Sequence, residues 1–253
     1  MTTSRSTDIA LKPEDVNTSR RSFLKNMSLA GGGLVVGLPL TACANISLPN
    51  ASESALQPNA LLQITSDNVV NFYLPRAEMG QGIYTGLTTI VAEELDIHPE
   101  RINVINAGLH EDYKNLEFEL QVTGGSNSIR THFLPLRHLA ANARLAIRQA
   151  AAQQLNRNLA DIQTDNGKII IDGKAVDYGE FADYANTLPF PEDAPLKDKL
   201  QFKYIGKDNP RLDGVAKATG TAQFGIDVDF EGLFRAALKR CPVMGGTVKS
   251  FDD

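Results

Sequence analysis

The sequence predicts an α+β fold, on three observations. Short apolar runs at 61–64 and 69–74, separated by turn residues, are typical of a hairpin. Apolar residues at three- and four-residue steps in 84–95, and again in 129–155, predict two helices. A second hairpin is expected at 158–172, where an Asn-Gly pair precedes a run of isoleucines. Strands and helices therefore alternate within one region of the chain.

Further elements extend this order along the chain. Alternating residues at 101–107 predict a strand, and 178–185 predicts a short helix. Prolines and charges cluster at 186–199, which indicates a domain boundary. Beyond it, strands are expected at 222–228 and 233–238, in a unit of about 50 residues that is too short to close its own β core.

Composition limits the partners and metal sites. The 253-residue chain carries a formal net charge of -5 and has no Lys/Arg cluster after residue 45, which argues against a nucleic-acid partner. The only cysteines are Cys43 and Cys241, too few for an iron–sulfur cluster or a cysteine zinc site. Cys241 is expected to be a small buried side chain in a strand. We therefore expect proteins or small molecules as partners.

Residues 1–44 are predicted to be a twin-arginine export signal and not a structural element. Arg20 and Arg21 precede an apolar run at 27–40 that is glycine-rich and too short for a good membrane-spanning helix. Twin-arginine signals address bacterial proteins for export. The predicted location is therefore the periplasm.

Two kinds of processing fit the end of this signal. Ala42-Cys43-Ala44 suits ordinary signal peptidase, whereas residues 40–43 suit a lipoprotein signal. Cys43 is accordingly expected either to be removed or to carry a lipid anchor. The polar, proline-containing residues 45–59 are predicted to be a linker.

Two glycine loops, each before a predicted helix, are the candidate binding elements. Their residues are Gly80, Gln81, Gly82, Gly124, Gly125 and Ser126. Backbone amides at a helix N-terminus attract anions, and two such loops can converge on one ligand. The alternative from the residues alone is that both loops are plain tight turns.

Other polar residues give weaker signals. Glu93 and Glu94 are adjacent on a helix, so they point in different directions and are expected on a solvated face. His132 is expected at the surface or as a capping residue. No catalytic triad or metal-ligand spacing occurs, so no catalytic or metal-binding residue is predicted in this chain.

Several of these segments resemble one enzyme family. The segments 78–85 and 92–96 look like the molybdenum-cofactor-binding subunit of the xanthine dehydrogenase/aldehyde oxidase family, and residues 113–137 are similar to its second cofactor loop. The likeness is greatest to the group of isoquinoline 1-oxidoreductase beta subunits and periplasmic aldehyde dehydrogenases. Residues 205–251 resemble the start of the family's hammerhead domain.

The resemblance implies a molybdopterin-binding domain segment at 60–188 and an incomplete α/β hammerhead domain at 200–253. It implies molybdopterin cytosine dinucleotide as the cofactor and oxidation of N-heteroaromatic rings or aldehydes with oxygen from water. Electrons would pass to a small subunit with 2Fe-2S clusters and then to an acceptor such as a cytochrome.

The family pattern also assigns roles to the loop residues. Gln81 would hydrogen-bond a molybdenum oxo ligand, the glycines and Ser126 would line the pterin and its phosphates, and Arg130 would cap the second loop. The family's general-base glutamate lies near the C-terminus of a much longer chain and has no match here. The chain is therefore expected to be a fragment that is inactive alone, with a non-catalytic exported module that binds a partner subunit as the alternative.

Overall fold

The computed structural model describes residues 33–37, 60–110, 113–115 and 117–250. The chain divides into two compact units, residues 1–214 and 215–253. The predicted signal arginines Arg20 and Arg21, the predicted lipidation residue Cys43 and the predicted linker lie outside the described residues. Within the described part, none of the helices has the length and hydropathy needed to span a bilayer.

A four-stranded sheet forms the centre of the first unit. Its strands, in spatial as well as chain order, are β1 (Leu34–Gly37), β2 (Ala60–Ile64), β3 (Val70–Leu74) and β4 (Ile102–Asn106). β2 and β3 form the predicted hairpin, with Leu62 opposite Phe72. β4 pairs with β3 in parallel, because helix α1 (Ile83–Leu95) carries the chain back across the sheet. The strand and the helix predicted here are confirmed.

Strand β1 corrects one prediction. Four residues of the apolar run predicted to belong only to an export signal pair antiparallel with β2 as an edge strand. Leu34 and Val36 are buried in the main core, and Asn186 donates a hydrogen bond to the carbonyl of Gly33. The apolar side chains and the unpaired edge of β2 together explain the pairing, since both are satisfied by one added strand.

The long predicted helix is present as α2 (Ser128–Gln154) and packs on α1. Its contact face is an apolar, alanine-rich stripe that includes Leu136, Ala143 and Ile147, all fully buried. Small side chains allow the two helices to approach closely over the sheet. The main core lies between these helices and the four strands.

A second, three-stranded antiparallel sheet follows α2. Its strands are β5 (Gln163–Asp165), β6 (Lys168–Ile171) and β7 (Lys174–Asp177), and helix α3 (Gly179–Ala185) comes next. Asn166 and Gly167 both have positive φ, 45° and 76°, as the predicted Asn-Gly turn requires. The hairpin and the short helix are confirmed, and β7 was not predicted.

The proline-rich segment does not separate two compact units, since the first unit continues to Gly214. Buried carboxylates on α1 hold the chain beyond it. Glu93 accepts the backbone N–H groups of Tyr204 and Ile205 at 2.7 and 3.0 Å. Glu94 accepts a hydrogen bond from the guanidinium Nε of Arg137 at 2.7 Å. The expectation that Glu93 and Glu94 face solvent is therefore wrong, because both are fully buried with several partners.

The second unit differs from its prediction. Its described residues contain all but the first residue of a short helix, α4 (Gly214–Thr219), and a 3-10 turn at Gly225–Asp227, but no strand. The expected strands at 222–228 and 233–238 are absent within residues 215–250, where Phe224, Ile226 and Phe234 are exposed. Strands form only when a partner strand and a core are available. Cys241 is likewise exposed and not buried.

Candidate functional site

The two glycine loops emerge at the same edge of the sheet. β3 and β4 are parallel neighbours, so their carboxyl ends lie side by side. Residues 75–82 follow β3 and lead into α1, while residues 107–127 follow β4 and lead into α2. Clefts at the carboxyl ends of parallel strands are the usual ligand sites of open α/β sheets. The fold thus brings together two loops that are remote from each other in the sequence.

Direct contacts join the two loops. The backbone N–H of Ala77 donates to the hydroxyl of Thr123 at 2.9 Å. The guanidinium of Arg76 donates to the carbonyl of Tyr113 at 2.7 Å. Gly86 on α1 lies against the Ile129 side chain of α2, so near that an added Cβ would come within 3.0 Å of it. The two loops are therefore in contact, and their binding of one shared ligand stays a prediction.

The first loop is closed by its own acid. Glu78 accepts the N–H groups of Gly80 and Gly82 at 2.8 and 3.1 Å through one oxygen, and that of Tyr84 at 2.9 Å through the other. Gly80 and Gly82 have φ of 101° and 87°, which turns these amides inward. The amides expected to bind an external anion are thus occupied by a carboxylate of the same loop.

Gln81 is exposed and folds back on its own loop. Its side-chain nitrogen donates to the carbonyl of Ala77 at 2.9 Å, and its oxygen accepts the N–H of Met79. Arg211 also holds this loop, because its guanidinium donates hydrogen bonds to the carbonyl of Gly80 at 3.1 Å and to Glu78 at 3.2 Å. Gln81 can reach another partner only by releasing these contacts.

The second loop is open by contrast. Gly124, Gly125 and Ser126 are exposed, and their amides make no hydrogen bond with any residue in the described part of the chain. The N-cap Asn127 makes no side-chain cap bond to α2. Uncapped amides at the start of a long helix are a favourable place for an anion.

Two contacts fix the shape of the second loop. Arg130 forms a two-pronged ion pair with Glu117, of which the Nη2–Oε2 distance is 2.8 Å, and both side chains are accessible to solvent. Gly125 has φ of 63° and lies against the ring of Phe118. The role implied for Arg130, holding the loop, agrees with this pairing.

A buried basic cluster lies where the two loops meet. Arg76 and His132 are each only 2% exposed. Burial, followed by the charge of Arg76, lowers the pKa of His132 to about 4, so its imidazole is neutral at pH 7. Its Nδ1 lies 2.9 Å from the carbonyl of Ser128. The prediction that His132 is a surface or capping residue is wrong, because the first turns of α2 are covered by the loops.

A cavity of about 450 Å³ opens beside the first loop. Its lining comes from the N-terminal halves of both helices and from residues 204–211, and includes Gly82, Gly86, Ile129 and Phe133. Among the described residues, no group of three His, Cys, Asp or Glu side chains is arranged to hold a metal ion.

Sequence reasoning missed Arg76 as well as the buried acids. Arg76 stands in a short polar stretch after a strand, where arginines are usually solvated. For the acids a signal was available. Arg137 and Arg144 are seven residues apart on α2 and so share one helix face, and both lie within 4.0 Å of Glu94.

Comparison with known proteins identifies the family. The profile of the molybdopterin cofactor-binding domain matches residues 14–231. The chain is 28% identical to the beta subunit of isoquinoline 1-oxidoreductase from Brevundimonas diminuta, over 95% of this chain and 36% of that protein. It is 29% identical to the membrane-bound aldehyde dehydrogenase (pyrroloquinoline-quinone) of Gluconacetobacter polyoxogenes, over 95% of this chain and 32% of that protein.

A third relative is a nicotinate dehydrogenase chain of Pseudomonas putida, 28% identical over 73% of this chain and 15% of that protein. The chain thus spans about a third, or less, of the length of these relatives. The match to the domain profile extends over both glycine loops and both long helices. The chain therefore belongs to the molybdopterin cofactor-binding domain family.

Proposed function

We propose that this chain is the N-terminal portion of a molybdenum hydroxylase large subunit that oxidises N-heteroaromatic rings or aldehydes. The observation that carries the proposal is the convergence of two glycine loops at one sheet edge, with the amides of the second loop unbonded within the described part of the chain. The names of the relatives, which refer to isoquinoline, aldehyde and nicotinate, support this substrate range.

The loops fit a cofactor that combines phosphate groups with a flat ring system. A Cβ added at Gly80, Gly82 or Gly124 would meet no atom within 4 Å, so this face has space for a bound group. The amides of Gly125 and Ser126 and the Ser126 hydroxyl would donate to the phosphates and the pterin. When bound, molybdopterin cytosine dinucleotide supplies a molybdenum centre that accepts two electrons.

The residues of the first loop would orient the reacting end of this cofactor. Gln81 would present its amide to the molybdenum oxo ligand after exchanging its contacts with Ala77 and Met79. Glu78 and Arg211 would keep the loop in register during that exchange, since they hold its backbone independently of Gln81. Ile129 and Phe133 would supply apolar contacts on the adjoining surface.

Further parts of the proposal concern location and partners. Electrons would leave through a small subunit with 2Fe-2S clusters, and a cytochrome-type protein would accept them. Residues 1–44 would direct export to the periplasm by the twin-arginine pathway, with Cys43 removed or lipidated. Cleavage beside Cys43 would also remove strand β1. Residues 200–253 would begin the hammerhead domain.

A second candidate function is a non-catalytic module that only binds a partner subunit. The closed first loop favours it, because Glu78 and Gln81 already bond to the backbone of their own loop and need no cofactor as a hydrogen-bond partner. The two candidates differ in whether molybdenum is retained.

The test is molybdenum and nucleotide analysis of the chain, coexpressed with the proposed 2Fe-2S subunit in a host that makes the cofactor. We expect molybdenum and, after acid hydrolysis, cytidine monophosphate in equal amounts. Gln81→Ala should lower the molybdenum content several-fold, while Gln163→Ala, at an exposed glutamine on β5, should leave it unchanged.

Protein without molybdenum, or unchanged molybdenum content in Gln81→Ala, would contradict the assignment of this site. Because one relative is named for pyrroloquinoline quinone, the same extracts should be assayed for that quinone. Quinone in place of molybdenum would overturn the cofactor proposal. The absence of both quinone and molybdenum would favour the non-catalytic module.

A further inference from the structure

Strand β1 is an edge strand that is buried on both of its faces. Leu34 and Val36 lie in the main core and are 1% and 4% exposed. Val35, between them, packs on the opposite face of the sheet against Tyr73. Natural edge strands usually carry charged residues that discourage pairing, whereas residues 33–37 carry none. The edge of β2 thus offers apolar contacts on two sides to one added strand.

The position before the strand accepts only glycine. Gly33 has φ of 112°, and a Cβ added to it would lie 2.2 Å from the carbonyl oxygen of Ile64. That oxygen belongs to the backbone of β2, so it cannot move aside as a flexible side chain would. A peptide bound along this edge must therefore carry glycine directly before its apolar residues.

Helix α3 holds the backbone of Gly33 through two side chains. The N–H of Gly33 donates to the carboxylate of Asp183, and the Nδ2 of Asn186 donates to the carbonyl of Gly33 at 2.7 Å. Asp183 and Asn186 are three residues apart and so lie on one side of the helix. Both contacts are to backbone atoms, and they fix the register in which Leu34 lies opposite Ile64.

The strand is bound from within its own chain. Residues 38–59 join β1 to β2. A linker of such length gives a tethered strand an effective concentration on the order of millimolar. A strand of four residues can then fill the site even where a free peptide of the same sequence binds weakly. Cutting the linker should turn β1 into a ligand that dissociates on dilution.

We propose that the edge of β2, together with Asp183 and Asn186 of α3, is a peptide-binding site that adds one extended strand to the sheet. Residues 33–37 are its ligand in the intact chain. The ligand class is a glycine followed by three apolar residues. In binding of this kind, main-chain hydrogen bonds supply affinity and the pockets for alternate side chains supply specificity.

The consequence for the chain rests on the proposed export signal. Cleavage beside Cys43 would separate β1 from the domain, and the strand would leave because its effective concentration is lost. The uncut chain keeps the site filled and so covers an edge that would otherwise pair with other strands. The binding site itself depends neither on export nor on molybdenum.

The experiment uses the folded full-length chain with a protease recognition sequence inserted between Asn50 and Ala51. After cleavage, gel filtration at decreasing protein concentration follows the N-terminal fragment. A fluorescent peptide of residues 31–39 is then titrated, with anisotropy as the readout. We expect the fragment to separate on dilution, and the peptide to bind the cut chain at least about tenfold more tightly than the uncut chain, whose site is filled.

A second peptide tests whether the site recognises glycine. The Gly33→Ala peptide differs by one methyl group, which would meet the carbonyl oxygen of Ile64. It should bind at least about tenfold more weakly. Non-specific adhesion of an apolar peptide would give the opposite result, because the alanine peptide is the more apolar one.

A pair of protein variants tests the contacts from α3. Asp183→Ala removes the acceptor of the Gly33 N–H and should weaken peptide binding several-fold. Glu180→Ala is the matched control, since Glu180 is an exposed acid one turn earlier on the same helix. The control should bind the peptide as the wild type does.

Equal peptide binding by cut and uncut chains, or equal binding of the two peptides, would overturn the proposal. So would a cut chain that pairs with a second copy and leaves the peptide unbound. If the cut chain precipitates, hydrogen exchange of the uncut chain decides.

In that measurement, Gly33→Ala should speed exchange in peptides that contain residues 61–64. Gly173→Ala is the control, because it also has positive φ, 73°, but nothing lies within 4 Å of its added Cβ, and it should leave this exchange unchanged. Unchanged exchange in Gly33→Ala would overturn the proposal. Molybdenum content is not a readout, so failure of this site and failure of the proposed function are distinguishable.

Discussion

The two glycine loops have similar positions but opposite chemistry. In the first loop the backbone amides already donate hydrogen bonds to Glu78, and Arg211 donates a hydrogen bond to the carbonyl of Gly80. The second loop leaves the amides of Gly124, Gly125 and Ser126 without a hydrogen bond in the described part of the chain, and two buried bases, Arg76 and His132, lie beside it. A glycine loop before a helix is therefore not by itself an anion site. Whether such a loop can bind an anion depends on whether a neighbouring carboxylate already accepts the hydrogen bonds of its amides.

The largest expected effect concerns the buried base under the second loop. The pKa of His132 is lowered from 6.5 to about 4 in the folded chain, so the unfolded chain binds a proton more readily between these values. Stability should fall as the pH is lowered from 6.5 to 4, by about 3 kcal/mol from this group. His132→Gln should remove that part of the pH dependence.

Urea unfolding at pH 7, 5.5 and 4.5 measures this slope. His138→Gln is the matched control, because His138 is exposed on the same helix, and it should retain the wild-type slope. An unchanged slope in His132→Gln would show that the second loop is not supported by a neutral buried imidazole.

A smaller effect is expected where the first loop is closed. Glu78→Ala removes the acceptor of three backbone amides, those of Gly80, Gly82 and Tyr84. The loss should be about 2 kcal/mol, since charge-assisted caps of this kind contribute in that range. Thermal or urea unfolding at pH 7 measures it.

The matched change in the second loop is Glu117→Ala, which removes a partner of Arg130. We expect a much smaller loss there, because both side chains are accessible to solvent and exposed ion pairs contribute little. Equal losses in the two variants would contradict the distinction between a closed and an open loop.

The smallest effect should come from paired glycine substitutions. Gly80→Ala places a side chain at φ of 101° and should cost about 1 kcal/mol, although nothing lies within 4 Å of the added Cβ. Gly124→Ala has the same free space and no positive φ, so its stability should match the wild type. Differential scanning calorimetry of both variants resolves the two. A larger loss in Gly124→Ala would indicate that the second loop is the more strained one.

Local patterns predicted most of the secondary structure. The β2–β3 hairpin, both long helices and the Asn-Gly turn follow from apolar spacing and turn chemistry that act within a few residues. The failed strands at 222–228 and 233–238 have the same local pattern, but they lack a partner strand and a core within residues 215–250. Propensity supports a strand only where tertiary contacts are available.

Polar residues were harder to place than apolar ones. Glu93 and Glu94 have the local pattern of a solvated face, yet they are buried, because Arg137 and the backbone of residues 203–205 compensate them. Such compensation comes from positions far along the chain, and no local pattern reports it. The same holds for Arg76 and His132.

The sequence by itself determined the family, the two glycine loops and the order of helices and strands, since these depend on residue types and short spacings. Only the tertiary structure decided that parallel pairing of β3 and β4 brings the loops to one edge, and that Glu78 closes one loop while the other remains open. The physical reason is that hydrogen-bond partners and burial are set by residues remote in sequence. Strand β1, donated by the predicted export signal to the edge of the sheet, is a further case.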